Sequence, residues 1–530
     1  MAKKNINKKI NMRQFILFLG LITTFSFTSC RNELDFESNI GNLSFSKETV
    51  YLDTVFTNIG SSTYTLKVYN KSNKNISIPR VRLGKGQASK YRLMVDGVPG
   101  KEFENVELLA NDSMFVFIEV TSDVADANPS DFLYTDRIEF GGVTDFQKVE
   151  LVTLIQDAVF IYPERAGSPN NYTYEEIQLG LDGNGNPIKI TGTNLSHTDV
   201  TNGDELHWTN TKPYVVYGYA KIPENETLIV DAGAKVHFHA NSGLIVANNS
   251  HLQVNGGIST YNSDGSVLIN NEVTFEGDRL EPIYAEVPGQ WGTVWFLPGS
   301  NGNNITNLTI KNATVGMLVS GNDGTPTPTI DMKNVQIYNC TNVGILARTG
   351  NLLGKNIVIN NCGQASLACT FGGSYDFTHC TFANYWSAPS QTCLVVDDYD
   401  GNTLFALNKA DFKNCIFYGS TNLGISLEKK GSTFNYKFDN CLIRFNDFNN
   451  QFGSNPLYAF NNSALFNGCL ISNSSNSFNP KFKNTDKNKL NILLGSSVIG
   501  NANLSFSTFA DILGNSRATS SDIGAYEYLP

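Results

Sequence analysis

The sequence predicts an all-β chain in two parts, a β-sandwich of short strands and then a solenoid of stacked coils. Three observations predict it. The first is an internal repeat. Residues 334–340 read N-V-Q-I-Y-N-C, and residues 356–362, 22 positions later, read N-I-V-I-N-N-C. Asn334 maps on Asn356, Ile337 on Ile359, Cys340 on Cys362 and Ala347 on Cys369. That period is in the solenoid range. The second is the size of the apolar runs, three to six residues or alternating, which suits short strands. A strand so short buries no face alone. Stacked on copies of itself about 4.8 Å away, it does. The third is composition: 530 residues, 41% hydrophobic, only 17% charged and 45 glycines, a turn-rich chain long enough for more than one domain.

Residues 1–30 read as a targeting segment. Lys3, Lys4, Lys8, Lys9 and Arg13 precede an apolar run over 15–27, too short to span a bilayer as a helix and suited to a signal peptide. Phe27-Thr28-Ser29-Cys30 resembles a bacterial lipobox, with Phe27 in place of the usual Leu. The resemblance implies that Cys30 is diacylated and becomes the new N-terminus. Ordinary secretion with Cys30 as a bystander is the alternative. Residues 31–39 form an acidic tether. Its start resembles the surface-export signal of Bacteroidota lipoproteins, which implies an outer-membrane lipoprotein on the cell surface or the periplasmic face. Without residues 1–29 the chain keeps 34 basic against 49 acidic residues, a net charge near −15. That balance argues against nucleic acid as a partner and leaves lipid as the route to the membrane.

Residues 40–157 carry about eight predicted strands: 43–45, 49–52, 63–69, 76–78, 91–95, 114–120, 137–140 and 149–155. Turn signals such as Asp96-Gly97 and Gly141-Gly142 separate them, as in a β-sandwich. The phrases L-D-T-V-F (52–56), L-K-V-Y-N (66–70) and A-N-D-S (110–113) resemble Ig-like domains that precede β-helices in Bacteroidota surface lipoproteins. No catalytic constellation is visible there. Residues 158–212 read as a connecting β segment.

From Pro213 to the end, short strands recur every eight residues or so. An aromatic or aliphatic residue stands three before Cys340, Cys362, Cys380, Cys415, Cys441 and Cys469, six of the nine cysteines, and Asn precedes four of these. This resembles the coils of right-handed parallel β-helix proteins, the pectate-lyase-like superfamily, and implies about a dozen coils. The family's inward ladders of like residues imply that these six cysteines share one core position; a disulfide framework is the alternative. D-I-L-G-N-S-R (511–517) and S-D-I-G-A-Y-E (521–527) resemble the ending of many bacterial β-helix surface proteins. They read as an end cap, with Asp511 or Asp522 pairing with Arg517.

The fold implies a real chance of polysaccharide chemistry, but the catalytic sets are missing. No Gly-His-Gly accompanies Asp397-Asp398. Asp397, Asp398 and Asp400 are weak calcium candidates, calcium being the one cofactor expected if any is, and no metal ligand is assigned firmly. Arg348, Lys355, Lys429, Lys430 and Arg444 are candidate bases for a lyase. Alternation turns His237, His239 and His251 outward on different faces, so they are not a metal set. Tyr375, Tyr385, Trp386 and Tyr399 are candidate glycan-stacking residues, with core or loop packing as the alternative for half of them. The leading expectation is a monomeric, lipid-anchored envelope protein that binds glycans or adheres without catalysis. The alternatives are a lyase or hydrolase of a uronic-acid polysaccharide, and a structural spacer.

Overall fold

The computed structural model describes residues 35–39, 41–168, 171–262, 267–388, 390–473, 478–507, 509–517 and 520–530. The expected signal peptide, Cys30 and the start of the expected tether lie outside them. The fold is all-β, with 49% strand and 4% helix. The chain divides into two compact units at Gln156/Asp157.

In the first unit, Glu37–Ser38, Ile76–Leu83, Leu133–Gly141, Phe146–Gln156 and Thr49–Phe56 lie in that order in one sheet, and Glu102–Leu108 pairs with Ile76–Leu83. Ser44–Phe45, Tyr64–Tyr69, Ser113–Val120, Tyr91–Val95 and Val98–Gly100 form the second sheet. Ser113–Val120 shows the cause of burial: Met114, Val116, Ile118 and Val120 are buried while Phe115 and Phe117 are exposed, the period of a strand. Leu66, Val68, Val116 and Ile118 from one sheet share a core with Ile78, Ile138 and Leu151 from the other. Sequence reading misses Glu102–Leu108 because its outer positions are Glu102, Glu104 and Glu107 and little of its length is buried.

The second unit is dominated by three long sheets. Sheet 1 has eleven strands and sheets 2 and 3 have ten each. The chain visits them in rotation. Ile330–Lys333 lies in sheet 3, Gln336–Cys340 in sheet 1 and Val343–Arg348 in sheet 2; Asn351–Lys355, Val358–Cys362 and Ala365–Thr370 repeat the order. Each strand pairs in parallel with its counterpart one circuit on: Ile337 with Ile359, Leu346 with Ala368, Leu352 with Tyr375. Residues 158–212 belong to this unit. Val159–Ile161 is the first strand of sheet 1, and the antiparallel hairpin Glu176–Leu181/Pro187–Asn194 opens sheet 2. Its Ile177, Leu179 and Ile190 pack over Tyr219, Ile245 and Trp295 on the outer side of the next strands.

The corners explain the sequence pattern. Between sheets 3 and 1, Asn307, Asn334, Asn356, His379, Asn414, Asn440 and Gly468 all have φ between 49° and 64°. Between sheets 1 and 2, Asn312, Asn339 and Asn361 do the same. Asn tolerates this left-handed backbone better than other side chains do. Its amide also bonds the next circuit. Asn356 Nδ2 donates to Asn334 Oδ1 at 2.9 Å, and Asn334 Nδ2 to Asn307 Oδ1 at 3.0 Å. At the other corner Asn361 Nδ2 donates to Asn339 Oδ1 at 2.7 Å.

There are therefore two cysteine positions, not the one expected. Cys340 and Cys362 end sheet 1 strands and pair with each other. Cys380, Cys415, Cys441 and Cys469 precede sheet 1 strands, in the slot of Ile357. Both corners ask for a left-handed residue followed by a small buried one, so the same Asn-Cys pair arises in two phases. All eight described cysteines are free, seven of them buried.

The ending also differs from expectation. Residues 511–517 and 520–527 do not close the end of the sheets; they strap the outer face of sheet 1. Ile512, Ala525 and Tyr526 pack on Tyr338, Val358 and Ala383, and Ile523 joins Ile416 and Leu442. The buried Arg517 pairs with Glu527, not with Asp511 or Asp522, whose carboxylates accept backbone N–H groups of Leu513, Asn515, Glu527, Gly500 and Tyr528. His379 is wedged beneath the strap, and burial with Arg517 nearby lowers its pKa to about 3, so it is neutral. The far end is stopped by aromatic rings instead. Phe445 stacks on Tyr458 at 4.8 Å and Phe460 meets Phe466 at 4.7 Å. Tyr458 Oη accepts from Leu427 N at 2.8 Å, filling a backbone donor on the last strand of sheet 2.

Replacing Asn356 with Ala should cost about 2–4 kcal/mol, because it combines left-handed strain with loss of the ladder bonds. Asn356→Gly should cost less, since it keeps the backbone freedom. Equal denaturant midpoints for the two variants would refute a conformational cost at this corner.

Candidate ligand-binding groove

A cavity of about 1210 Å³ lies on the outer face of sheet 2. Strand register builds it as a grid. Leu346, Ala368, Val395 and Ser426 stand side by side on four adjacent strands and make the floor. Val343, Ala365 and Thr392 form a second row. Val343, Ala365, Ala368, Leu346 and Val395 pack as an apolar cluster separate from the main core. One rim carries Arg348, Thr370 and Glu428, and the other carries Gln364, Gln391 and Asn422. Asn446, Asp447, Phe448, Gln451 and Phe452 stand where the next circuit would have been.

Polar and aromatic groups are set around this floor. Phe448 is 73% exposed. Phe371 stacks on Phe405 at 5.6 Å, and the Arg348 guanidinium lies 5.8 Å from the Phe371 ring. Gln391 is buried and donates to Ser420 Oγ at 2.7 Å, while its Oε1 has no partner among the described residues. Asp447 is committed to its own loop, accepting from Gln451 N at 2.9 Å and Phe452 N at 2.7 Å. Glu428 accepts from the Tyr399 hydroxyl, and this hydrogen bond pushes the tyrosine pKa up to about 12. Asp397, the cross-strand neighbour of Glu428, accepts from Phe371 N at 2.8 Å, and burial raises its pKa.

The residues singled out in the sequence do not converge. Tyr375 is fully buried, its hydroxyl donating to Gly372 O at 2.9 Å, so its ring is unavailable to a sugar. Tyr385 and Trp386 are half-buried and line a separate pocket of about 300 Å³ with Asn361 and Asp486. Tyr399 lines a third, of about 690 Å³, beside Lys429 and Lys430. Lys430 Nζ sits 3.5 Å from the centre of the Tyr399 ring. Of the candidate bases, Arg348 alone lines the groove; Lys355 lies near Phe509 and Arg444 near Tyr418. His237 proves buried and His239 pairs with Asp278 at 2.7 Å.

The calcium candidates take three different places in the fold. Asp398 is fully buried and accepts from Lys430 N at 2.7 Å and Gly431 N at 2.8 Å. Asp397 faces Phe371 N, and Asp400 is exposed in a short hairpin with Thr403. Among the described residues no group of three or more His, Cys, Asp or Glu could hold a metal ion.

No protein-family model matches the chain, and no curated protein matches it. Among solved structures, it is similar to one reported for glycolipid glycan hydrolysis, a family 123 glycoside hydrolase from Clostridium perfringens. Identity there is 8% and the TM-score 0.15, over 23% of this chain and 30% of that one. So slight a likeness, spanning under a third of that chain, carries no argument about fold or function.

Sequence reading missed the groove although a signal existed. Residues 343–346 and 365–369 are apolar or small at both parities, the mark of a strand covered on both faces. Here the outer rows are only partly covered among the described residues: Val343, Ala365 and Ala368 are buried against their neighbours, while Leu346, Thr392, Val395 and Ser426 stay partly exposed.

Asp398→Asn should destabilise the unit by about 2–3 kcal/mol, through weakened charge-assisted bonds to two backbone donors. Calcium or a chelator should leave the melting temperature of the parent unchanged. A calcium-dependent rise in melting temperature that Asp398→Asn abolishes would restore the metal reading.

Proposed function

We propose that the chain is a lipid-anchored cell-envelope protein whose second unit binds a glycan in the sheet 2 groove without catalysis. The first unit is read as an Ig-like β-sandwich and the second as a right-handed parallel β-helix. Three parallel sheets visited in rotation support the latter. The observation that carries the function is the groove's lining: an apolar floor edged by amides and hydroxyls, with Phe448 and Phe371 at its margins. Sugar rings present apolar C–H faces and a hydroxyl perimeter, and this lining is complementary to both. Asp447, Asp397 and Glu428 each already hold a protein hydrogen bond, which argues against a proton-transfer pair aimed at a ligand.

A second reading, a lyase or hydrolase of an acidic glycan, draws on one observation: Asp397 and Glu428 are cross-strand neighbours beside Arg348's rim. A panel of neutral and uronic-acid polysaccharides separates the two, with binding followed by calorimetry and product by absorbance and reducing ends. Binding without product is expected. Ser426→Trp, at a partly exposed position of the floor, should crowd the groove and weaken binding at least tenfold without lowering the melting temperature. Product formation that Glu428→Gln abolishes would overturn the binding-only reading. Silence across the panel would favour a structural spacer.

Membrane attachment rests on Cys30. Cys30→Ser should move the protein from the membrane to the soluble fraction, and mass spectrometry of the parent should find a diacylated N-terminus. An unmodified N-terminal peptide would refute the anchor.

A further inference from the structure

The groove is not symmetrical along its length. Its floor crosses four strands, 343–348, 365–370, 392–397 and 425–428, which at about 4.8 Å apart gives about 14 Å. At one end the outer face continues past Leu346 to Leu318 of the preceding strand, whose side chain is partly exposed. At the other end sheet 2 stops. Among the described residues, 425–428 are its last strand, and no further circuit carries the floor onward.

A segment of the chain stands across the path at that end. Leu423 forms an isolated antiparallel bridge with Phe445, so the chain turns outward where the groove finishes. Residues 446–452 then rise as a wall. Asp447 braces that wall by accepting from two backbone N–H groups within it. The aromatic cluster of Phe445, Phe452 and Tyr458 backs it from behind, with Phe445 to Phe452 at 5.8 Å and Phe452 to Tyr458 at 4.9 Å. Phe448 stands exposed at its crest.

We propose that the groove recognises the end of a glycan chain and not an internal stretch. This rests on the glycan reading of the same groove. A linear polymer lying along the floor can leave outward over Leu318, before Trp295 and the 176–194 hairpin packed on it, but meets Phe448 and the 446–452 loop in the other direction. The terminal sugar therefore abuts the wall. There its outermost hydroxyls face Asn446, Asn449 and Gln451, groups an internal residue would reach only by bending its chain out of the groove. A closed end adds contacts to the terminal unit on a third side, and each polar group it satisfies discriminates against a chain that continues.

The test uses the full chain with linear gluco-, manno- and galacturono-oligosaccharides from the disaccharide upward. Cyclic glucans serve as controls without ends, and long polysaccharides of the same sugars are included. The expected result is binding of linear oligomers, an affinity that levels off with length, and one protein per polysaccharide chain. Cyclic glucans of the bound sugar should bind at least tenfold more weakly than the linear forms. Phe448→Ala, a change at an exposed side chain, should narrow that gap at least threefold while leaving the melting temperature unchanged. Stoichiometry that grows with chain length, or equal binding of cyclic and linear forms, overturns end recognition while leaving glycan binding intact. Binding of none of these sugars overturns both.

Discussion

The second unit depends on a corner. From residue 307 onward, wherever the chain leaves sheet 3 for sheet 1, one residue takes a left-handed backbone, and in five of these seven corners that residue is Asn. This lets two successive strands meet at a sharp angle with almost no loop between them. It also keeps circuits short enough to lie in register. The Asn amide then couples each corner to the next, so one residue sets both the bend and the stack. Parallel pairing, inward ladders of Cys and Phe, and the outer rows of side chains all derive from that register. The stacked rings of Phe377, Phe412, Phe438 and Phe466 are one product, with centroids 5.0 to 5.8 Å apart.

Much of this was legible in the sequence, though unevenly. Strands with one covered face announce themselves by alternation, as Ser113–Val120 does. The repeat at 334–362 shows the circuit length directly. The phase of the later cysteines was not legible. Cys340 follows Ile337 within one strand, whereas Cys380 follows Phe377 across a corner. Spacing alone cannot separate these cases, because a tight corner inserts so few residues. The strap was hidden for a related reason: the end motif shows a turn-rich shape, not which surface it covers. Its contacts join residues far apart in the chain, such as Tyr526 and Gln336.

The groove shows the opposite failure. Attention to chemistry-bearing residues led to Tyr375, Asp397 and Asp398, and the fold uses all three internally. Tyr375 bonds backbone carbonyls, and the carboxylates satisfy backbone donors at a tight connection. The groove floor is made of Leu346, Thr392, Val395 and Ser426, partly exposed over the buried Val343, Ala365 and Ala368. Such residues carry no signature individually, and their meaning comes from standing in rows on neighbouring strands. Function in a sheet face is a two-dimensional pattern, while the sequence presents it one line at a time.

The strap gives the unit an order of assembly. Circuits can stack as the chain emerges, each using the one before it as a template. The outer face of sheet 1 meanwhile stays bare, with Tyr338, Val358, Ala383, Ile416 and Leu442 awaiting Ile512, Ile523, Ala525 and Tyr526. These last contacts span about 80 to 190 positions of chain, so their loop-closure cost falls at the end of folding. Until then an apolar strip is open to other chains, which makes the final step the one most exposed to misassembly.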